Sequence, residues 1–187
     1  MIKINQIVPD FKLKAYHQDK IKDIKLSDYK GKWVVLLFYP GDFTFICPTE
    51  LEEASNMYEV LKGKGCEILS VSTDSVYVHK AWHEQSPAIK KVFFPMLSDQ
   101  KGEVAKDFGA YIDEEGVCLR GTFIIDPDGA LKTMEIHDNS VGRSGKELMR
   151  KLDAAIFVRN NNGLVCPASW VLGADPLKPG LDLVGKI

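Results

Sequence analysis

Residues 33–39 form an uninterrupted apolar run, rich in β-branched and aromatic side chains and bounded by Pro40 and Gly41. A run of this length is too short to cross a membrane, and it suits a central strand that is covered on both faces. After a loop, apolar residues recur at intervals of three and four, at Leu51, Ala54, Met57, Tyr58 and Leu61. That spacing predicts a helix with one buried face, and Cys47 falls at its start.

Short apolar segments on either side of this unit predict further strands. Residues 11–15 alternate apolar and polar side chains and residues 21–25 follow a polar turn, which predicts an opening hairpin. Residues 66–72 are again apolar and β-rich, so strand, helix and strand make a βαβ unit with parallel strands. Cys47 is then expected just beyond the carboxyl end of the first strand, at the edge where open α/β sheets bind ligands.

The second half of the chain continues the alternation of helices and strands. Asp74 or Ser75 is predicted to cap a helix that has Val78, Ala81 and Trp82 on its inward face. Further elements are predicted as a short strand at 92–97, a short helix at 102–108, a hairpin of 117–126 with 130–137, and an amphipathic helix at 144–159.

The last part of the chain has a different composition. Asparagines and a glycine follow residue 159, and Pro167, Pro176 and Pro179 punctuate the tail. We therefore predict a domain at residues 1–160 and a C-terminal arm at 161–187. The fold class expected is α/β, with a central mixed β-sheet flanked by helices and compatible with a thioredoxin-like fold.

Composition and charge narrow the possible functions. With 187 residues and 45% hydrophobic content, the chain matches one globular domain. The net charge of -2 and the scattered basic residues argue against nucleic acid as a partner. The start of the chain lacks the pattern of a secretory signal and no apolar run reaches bilayer length, so we expect a cytoplasmic protein that does not enter the membrane.

The position of Cys47 predicts a reactive thiol. The first turn of a helix carries unpaired N–H groups and the positive end of the helix dipole, and both favour a thiolate. Pro48 fits the first helical position, where its missing N–H costs nothing. The pKa of a cysteine placed in this way can fall to roughly 3.5 to 7.5. The alternative is that Cys47 is an inert, buried cysteine that packs like a small apolar residue.

Other candidate groups have weaker patterns. Cys66 and Cys118 lie in apolar segments and are expected to pack in or beside the sheet. His79 and His83 have the spacing of a metal-binding pair on a helix, but no third ligand completes a recognised motif, so no metal is expected there.

Two segments resemble a known family. FYPGDFTFICPTEL and the late VCPASW are similar to the two cysteine segments of typical two-cysteine peroxiredoxins. The ending LDLVGKI and the overall length are more narrowly similar to the bacterial alkyl hydroperoxide reductase C group. The resemblance extends over nearly the whole chain.

The resemblance implies a thiol-dependent peroxidase that reduces hydrogen peroxide and organic hydroperoxides without a bound cofactor. It makes Cys47 the peroxidatic cysteine, which becomes a sulfenic acid, and Cys166 of another subunit the resolving cysteine. It also implies a homodimer, assembling to a decamer, and recycling by a flavoprotein disulfide reductase or by thioredoxin.

The resemblance further assigns roles to five neighbours of the two cysteines: Pro40 shields Cys47, Thr44 hydrogen-bonds peroxide and sulfur, Arg120 stabilises the thiolate, and Glu50 and Arg143 are supporting charges. All of these except Pro40 have an ordinary alternative. Thr44 can cap the helix or satisfy a loop N–H, and Arg120 can be a solvated strand charge. A first-turn glutamate such as Glu50 is common in helices, and an arginine such as Arg143 is commonly a surface residue.

Two other classes of function remain open. A general thiol–disulfide exchanger has a second cysteine three residues after the first, and Glu50 occupies that position here. A chaperone or scaffold would depend on the assembly and not on Cys47. Peroxide consumption by a Cys47→Ser variant separates the exchanger from a peroxidase, and holdase activity that this substitution leaves unaffected would support the chaperone as an additional role.

Overall fold

Nine strands and four α-helices form within residues 1–186, the part of the chain that the computed structural model describes. The strands are β1 (Lys12–His17), β2 (Lys20–Lys25), β3 (Trp33–Phe38), β4 (Cys66–Ser72), β5 (Met96–Ser98), β6 (Tyr111–Ile112), β7 (Val117–Cys118), β8 (Arg120–Ile125) and β9 (Leu131–His137). The helices are α1 (Cys47–Gly63), α2 (Val76–Gln85), α3 (Glu103–Asp107) and α4 (Gly145–Asn160).

Seven of the strands form one mixed sheet in the order β2–β1–β5–β4–β3–β8–β9. Strands β3, β4 and β5 are parallel, whereas β1, β2, β8 and β9 each pair with their neighbours antiparallel. The remaining strands, β6 and β7, make a separate two-stranded sheet. The mixed sheet, the opening hairpin and the parallel βαβ unit that the sequence predicted are all confirmed.

Strand β3 lies near the middle of the sheet because all six of its side chains are apolar and buried. It has β4 on one side and β8 on the other, so both of its edges are paired. At its end, the ring of Phe38 packs against Phe108 and Phe123, with ring centroids 5.4 and 5.5 Å apart. This packing fixes the point from which the chain leaves the sheet toward Cys47.

Helix α2 differs from its prediction in the face that it buries. Ser75 is the cap, since its hydroxyl accepts a hydrogen bond from the N–H of Val78 at 3.3 Å. The buried residues are Val76, His79 and Trp82, while Val78 and Ala81 are only half-buried. The sequence pattern missed this face because a histidine belongs to it.

Two strands are shorter than predicted. The segment expected as one strand at 117–126 is divided at Leu119 into β7 and β8. The strand expected at 92–97 begins only at Met96, as β5, because Pro95 has no N–H with which to pair.

Contacts between residues divide the chain into two units, Met1–Gly145 and Lys146–Ile187. Within the second unit, the rings of Phe157 and Trp170 lie 4.8 Å apart, so the start of the arm packs on α4. The predicted boundary between a domain at 1–160 and an arm at 161–187 stays a prediction. No helix within residues 1–186 is long and apolar enough to span a bilayer.

Candidate active site

Cys47 is the first residue of α1, and its side chain is completely buried. The carbonyl oxygen of Ile46 accepts hydrogen bonds from the N–H groups of Thr49 and Glu50, at 3.0 and 3.2 Å. Pro48 is therefore the second helical residue and not the first, one position later than predicted. Its missing N–H is still harmless there, because the first-turn donors have no partner within the helix. The sulfur thus lies at the positive end of the helix dipole.

Arg120 contacts the sulfur of Cys47 directly. It is the first residue of β8 and is buried, with its Nη1 atom 3.4 Å from Sγ of Cys47 and 2.9 Å from Oε2 of Glu50. Its Nε–H donates to the carbonyl oxygen of Asn139 at 3.0 Å. These contacts fix the plane of the guanidinium, so the cation stays beside the sulfur. The alternative of a solvated charge on a strand does not describe Arg120.

Glu50 is held by a second arginine. Nε and Nη2 of Arg143 lie 3.0 and 2.8 Å from Oε1 and Oε2 of Glu50, and the backbone N–H of Arg143 donates to Oε1 at 2.8 Å. Burial raises the pKa of Glu50, but the hydrogen bonds and charge of Arg143, together with the charge of Arg120, outweigh burial and hold this pKa below its ordinary value. Glu50 is therefore ionised at neutral pH.

The charges of this cluster balance only if the sulfur of Cys47 is negative. Arg120 and Arg143 contribute two positive charges and Glu50 contributes one negative charge, all on side chains that are at most 6% exposed. An unbalanced charge is costly in a buried site. A thiolate at Cys47 completes the set of two cations and two anions, so the arrangement favours an anionic sulfur nucleophile.

The connection between β9 and α4 supplies two parts of the site that the sequence did not predict. The carbonyl oxygen of Asn139 binds Arg120, as described above. Nη1 of Arg143 donates to the carbonyl oxygen of Gly121 at 2.7 Å and to Oγ1 of Thr122 at 3.3 Å, which ties the connection to β8. No periodic pattern indicates such contacts, because they join backbone carbonyl groups to arginines far along the chain.

Pro40 and Thr44 lie in the loop between β3 and α1. Pro40 lies two residues after the end of β3 and is half-buried, while Thr44 is exposed. The hydroxyl of Thr44 donates to the carbonyl oxygen of Gly41 at 2.8 Å. Within residues 1–186, the hydroxyl of Thr44 makes this hydrogen bond and not the predicted one to the sulfur of Cys47. The lone pairs of the hydroxyl remain available to accept a hydrogen bond, and the roles of Thr44 and Pro40 stay predictions.

The other three cysteines have no such surroundings. Cys66 and Cys118 are buried, and burial raises the pKa of each thiol to about 12, which suits packing and not reactivity. Cys166 is half-buried in the second unit, where its Sγ lies 3.9 Å from the carbonyl oxygen of Ala154. Burial raises the pKa of Cys166 above its ordinary value.

The pair of histidines on α2 has protein partners. His79 is fully buried and contacts Asp42 and the carbonyl oxygen of Leu97, while His83 contacts Tyr16 and the carbonyl oxygen of Val92. Across residues 1–186, no group of three His, Cys, Asp or Glu side chains is arranged to hold a metal ion.

The chain is similar to known proteins over nearly its whole length. Residues 4–134 match the AhpC/TSA family. Alkyl hydroperoxide reductase C from Pseudomonas aeruginosa is 47% identical over 184 residues, which is 98% of both chains. The protein of the same name from Staphylococcus haemolyticus is 46% identical over 186 residues, also 98% of both.

Solved structures agree with this similarity. The crystal structure of Enterococcus faecalis AhpC superposes with a TM-score of 0.86 at 43% identity, covering 89% of this chain and 100% of the other. Reduced Plasmodium vivax 2-Cys peroxiredoxin superposes with a TM-score of 0.91 at 32% identity, covering 96% and 94%. The predicted thioredoxin-like fold is confirmed by these neighbours.

Proposed function

The chain belongs to the AhpC/TSA family and is a peroxiredoxin, a thiol-dependent peroxidase, and we propose that it reduces hydrogen peroxide and organic hydroperoxides through Cys47. One observation carries this proposal. The sulfur of Cys47 lies at the start of a helix, 3.4 Å from a guanidinium that Glu50 and Asn139 hold in place. A thiolate in that position is both anionic and next to a donor that can polarise a peroxide.

In the first step, the thiolate of Cys47 attacks one oxygen of the peroxide bond. The sulfur–oxygen bond forms as the oxygen–oxygen bond breaks, and the departing oxygen leaves as hydroxide or alkoxide and takes up a proton. The products are a sulfenic acid on Cys47 and water or an alcohol. Arg120 stabilises the negative charge as it moves from sulfur to the leaving oxygen, because its N–H groups are already oriented.

In the second step, the thiol of Cys166 attacks the sulfenic sulfur of Cys47, and water leaves as the disulfide forms. We assign this thiol to a second subunit, so the working unit is a homodimer with two equivalent sites, and dimers are expected to assemble into a decamer. Cys166 suits the role because it lies on the arm and is half-buried, unlike Cys66 and Cys118.

In the third step, an external dithiol reduces the disulfide by two thiol–disulfide exchanges and restores both thiols. A flavoprotein disulfide reductase or thioredoxin is the expected donor, and the site needs no bound cofactor. The cycle removes peroxides in the cytoplasm, as an antioxidant activity. Glu50 supports the need for an external dithiol. It occupies the position, three residues after Cys47, where a thiol–disulfide exchanger has its second cysteine, and its carboxylate binds Arg120 and Arg143.

Variants that each replace one cysteine test the first two steps. The full-length protein is treated with one equivalent of peroxide, and each thiol is followed by mass spectrometry and by non-reducing electrophoresis. Cys47→Ser should consume no peroxide, and Cys166→Ser should stop at a sulfenic acid without a disulfide-linked dimer. Cys66→Ala and Cys118→Ala, the matched controls, should behave as the wild type. Peroxide consumption that survives in Cys47→Ser contradicts the proposal.

A further inference from the structure

A buried polar cluster lies beside the loop that precedes Cys47. Oδ2 of Asp42 is 2.7 Å from Nδ1 of His79, and the side chains of both residues are completely buried. Oδ1 of Asp42 accepts a hydrogen bond of 2.7 Å from the hydroxyl of Tyr39. Nε2 of His79 lies 3.2 Å from the carbonyl oxygen of Leu97. None of these four residues takes part in the peroxidase steps described above.

The direction of each hydrogen bond follows from the chemistry of its partners. A carbonyl oxygen only accepts, so Nε2 of His79 carries a proton and donates it to Leu97. Nδ1 faces the carboxylate of Asp42, and one proton lies between these two atoms. Asp42 and His79 therefore share a proton in a buried pair, which is stable only as long as both partners are present.

The cluster fixes one end of the loop to the sheet and to α2. The backbone N–H of Asp42 donates to Oδ2 of Asp74 at 2.9 Å, and the hydroxyl of Ser72 donates to the same oxygen at 2.8 Å. Asp42 is thus bound through its backbone and through both carboxylate oxygens. Loops seldom have an anchor of this kind, since most of their polar groups face water.

The residues between this anchor and Cys47 are exposed and have few partners. Phe43 has a φ of +56°, a conformation that is uncommon for a residue with a side chain, and it is 51% exposed, with its ring centroid 6.2 Å from that of Trp82. Phe45 is 93% exposed. Beyond them the chain enters α1 at Cys47, which is completely buried. The first turn of α1 is therefore held from two sides, by the bonds of Glu50 to the arginines and by a strained, exposed segment whose buried anchor is Asp42.

We propose that Asp42 and His79 are positioning residues, whose hydrogen bond keeps the loop in place and thereby keeps the first turn of α1 closed over Cys47. Breaking this one bond releases the loop and opens the first turn locally, so the sulfur becomes accessible while it loses its alignment with Arg120. The peroxide part of this inference rests on the proposed function, whereas the accessibility part does not.

Two substitutions of His79 separate this bond from the rest of the histidine's contacts. In His79→Asn, the side-chain amide nitrogen takes the place of Nδ1 and can still donate to Asp42. In His79→Gln, the amide nitrogen takes the place of Nε2 and can still donate to Leu97, but the bond to Asp42 is lost. Both variants replace the imidazole by an amide, so they differ in which partner is kept and in one methylene group.

The measurement is the rate at which an uncharged maleimide modifies each cysteine of the native, full-length protein, read by mass spectrometry. Loss of a hydrogen bond to a charged group changes an opening equilibrium by roughly ten- to a hundredfold. We expect an increase of that size at Cys47 in His79→Gln, and a rate within about threefold of the wild type in His79→Asn. Cys66 and Cys118, both buried, report global unfolding and should not change in either variant.

The rate of Cys47 oxidation by hydrogen peroxide should move in the opposite direction. Misplacing a reacting group by about 1 Å can cost up to about a hundredfold in rate, so His79→Gln should be slow where its maleimide reaction is fast. Equal maleimide rates in the two variants, or a joint rise at Cys47, Cys66 and Cys118, would refute the inference. A wild-type protein that is inert to peroxide would refute the proposed function. The maleimide comparison would still test the inference about Asp42 and His79.

Tyr39→Phe provides a test that does not alter His79. It removes only the hydroxyl that donates to Oδ1 of Asp42, while the buried ring remains. We expect a rise of about three- to tenfold in maleimide modification, confined to Cys47. If the His79 variants fail to fold, an unchanged rate in Tyr39→Phe overturns the inference by itself.

Discussion

Cys47 and Cys118 are both completely buried cysteines, and they differ in the groups that surround their sulfur atoms. Burial, followed by the negative charges of Asp99 and Asp74, raises the pKa of Cys118 to about 12. Cys47 lies at the start of a helix and 3.4 Å from Arg120. The comparison teaches that exposure does not distinguish the two sulfur atoms, whereas compensating charge inside the protein does. The proposed function assigns the reaction with peroxide to the cysteine that has this charge.

Removing the cation beside Cys47 should reduce the difference between the two cysteines more than any other change. Arg120→Met keeps the apolar stem but removes the guanidinium, and we expect the rate of Cys47 oxidation by peroxide to fall by about 10²- to 10³-fold. Stopped-flow fluorescence measures this rate. Arg150→Met, a change in a half-buried arginine of α4, is the control and should leave the rate unchanged. A loss of less than about tenfold in Arg120→Met would mean that the helix start alone activates the sulfur.

Neutralising Glu50 should have a smaller effect, seen mainly in stability. The folded-state pKa of Glu50 is depressed, so its contribution to stability is complete above the ordinary glutamate pKa of about 4.3 and is lost as the pH falls through the folded value. Glu50→Gln should lower the free energy of unfolding by about 2 kcal/mol at neutral pH. Below pH ~4.3 it should lose less further stability than the wild type.

Urea unfolding across a pH series measures the Glu50 effect. Glu59→Gln, an exposed position on the same helix, is the matched control and should follow the wild-type curve. Parallel pH curves for Glu50→Gln and the wild type would show that Glu50 is not the group whose protonation weakens the fold.

Changing Cys118 should have the smallest effect. Cys118→Ala removes a sulfur that packs in the core, so we expect a loss of about 1 kcal/mol in stability and a peroxide rate within about twofold of the wild type. Thermal unfolding and the stopped-flow assay measure the two quantities. A large loss of peroxidase rate at unchanged stability would show that Cys118 takes part in the reaction, which would contradict the contrast between a reactive Cys47 and a packing Cys118.

The sequence predicted most of the fold because most of its elements are locally encoded. Strand β3 is apolar throughout, α1 repeats apolar residues at helical spacing, and the turn between β8 and β9 contains proline and glycine. The predicted inward face of α2 was correct at Trp82 and wrong at Val78 and Ala81, since the pattern does not place His79 on the buried face. Its burial depends on Asp42, which precedes it by 37 residues, and no local pattern carries that information.

The active site was predictable in part. Helix-start chemistry alone placed Cys47, because its position depends only on neighbouring residues. Nothing local could place Arg120 beside it, since the two lie 73 residues apart and meet only because β8 pairs with β3. For Arg120, Glu50 and Arg143, only the family resemblance suggested a common site. The contact of Arg120 with the carbonyl oxygen of Asn139 was not predicted, because every residue has a backbone carbonyl and the sequence does not indicate which one binds a side chain.

The long separations within the charge cluster have a consequence for biosynthesis. Glu50 and Arg143 lie 93 residues apart, so the cluster cannot form until the connection after β9 has left the ribosome. A chain under translation has its N-terminal part outside first, and it exposes Cys47 well before either arginine is available. Throughout that interval the sulfur of Cys47 has neither arginine near it, so the proposed reaction with peroxide requires synthesis to have passed Arg143.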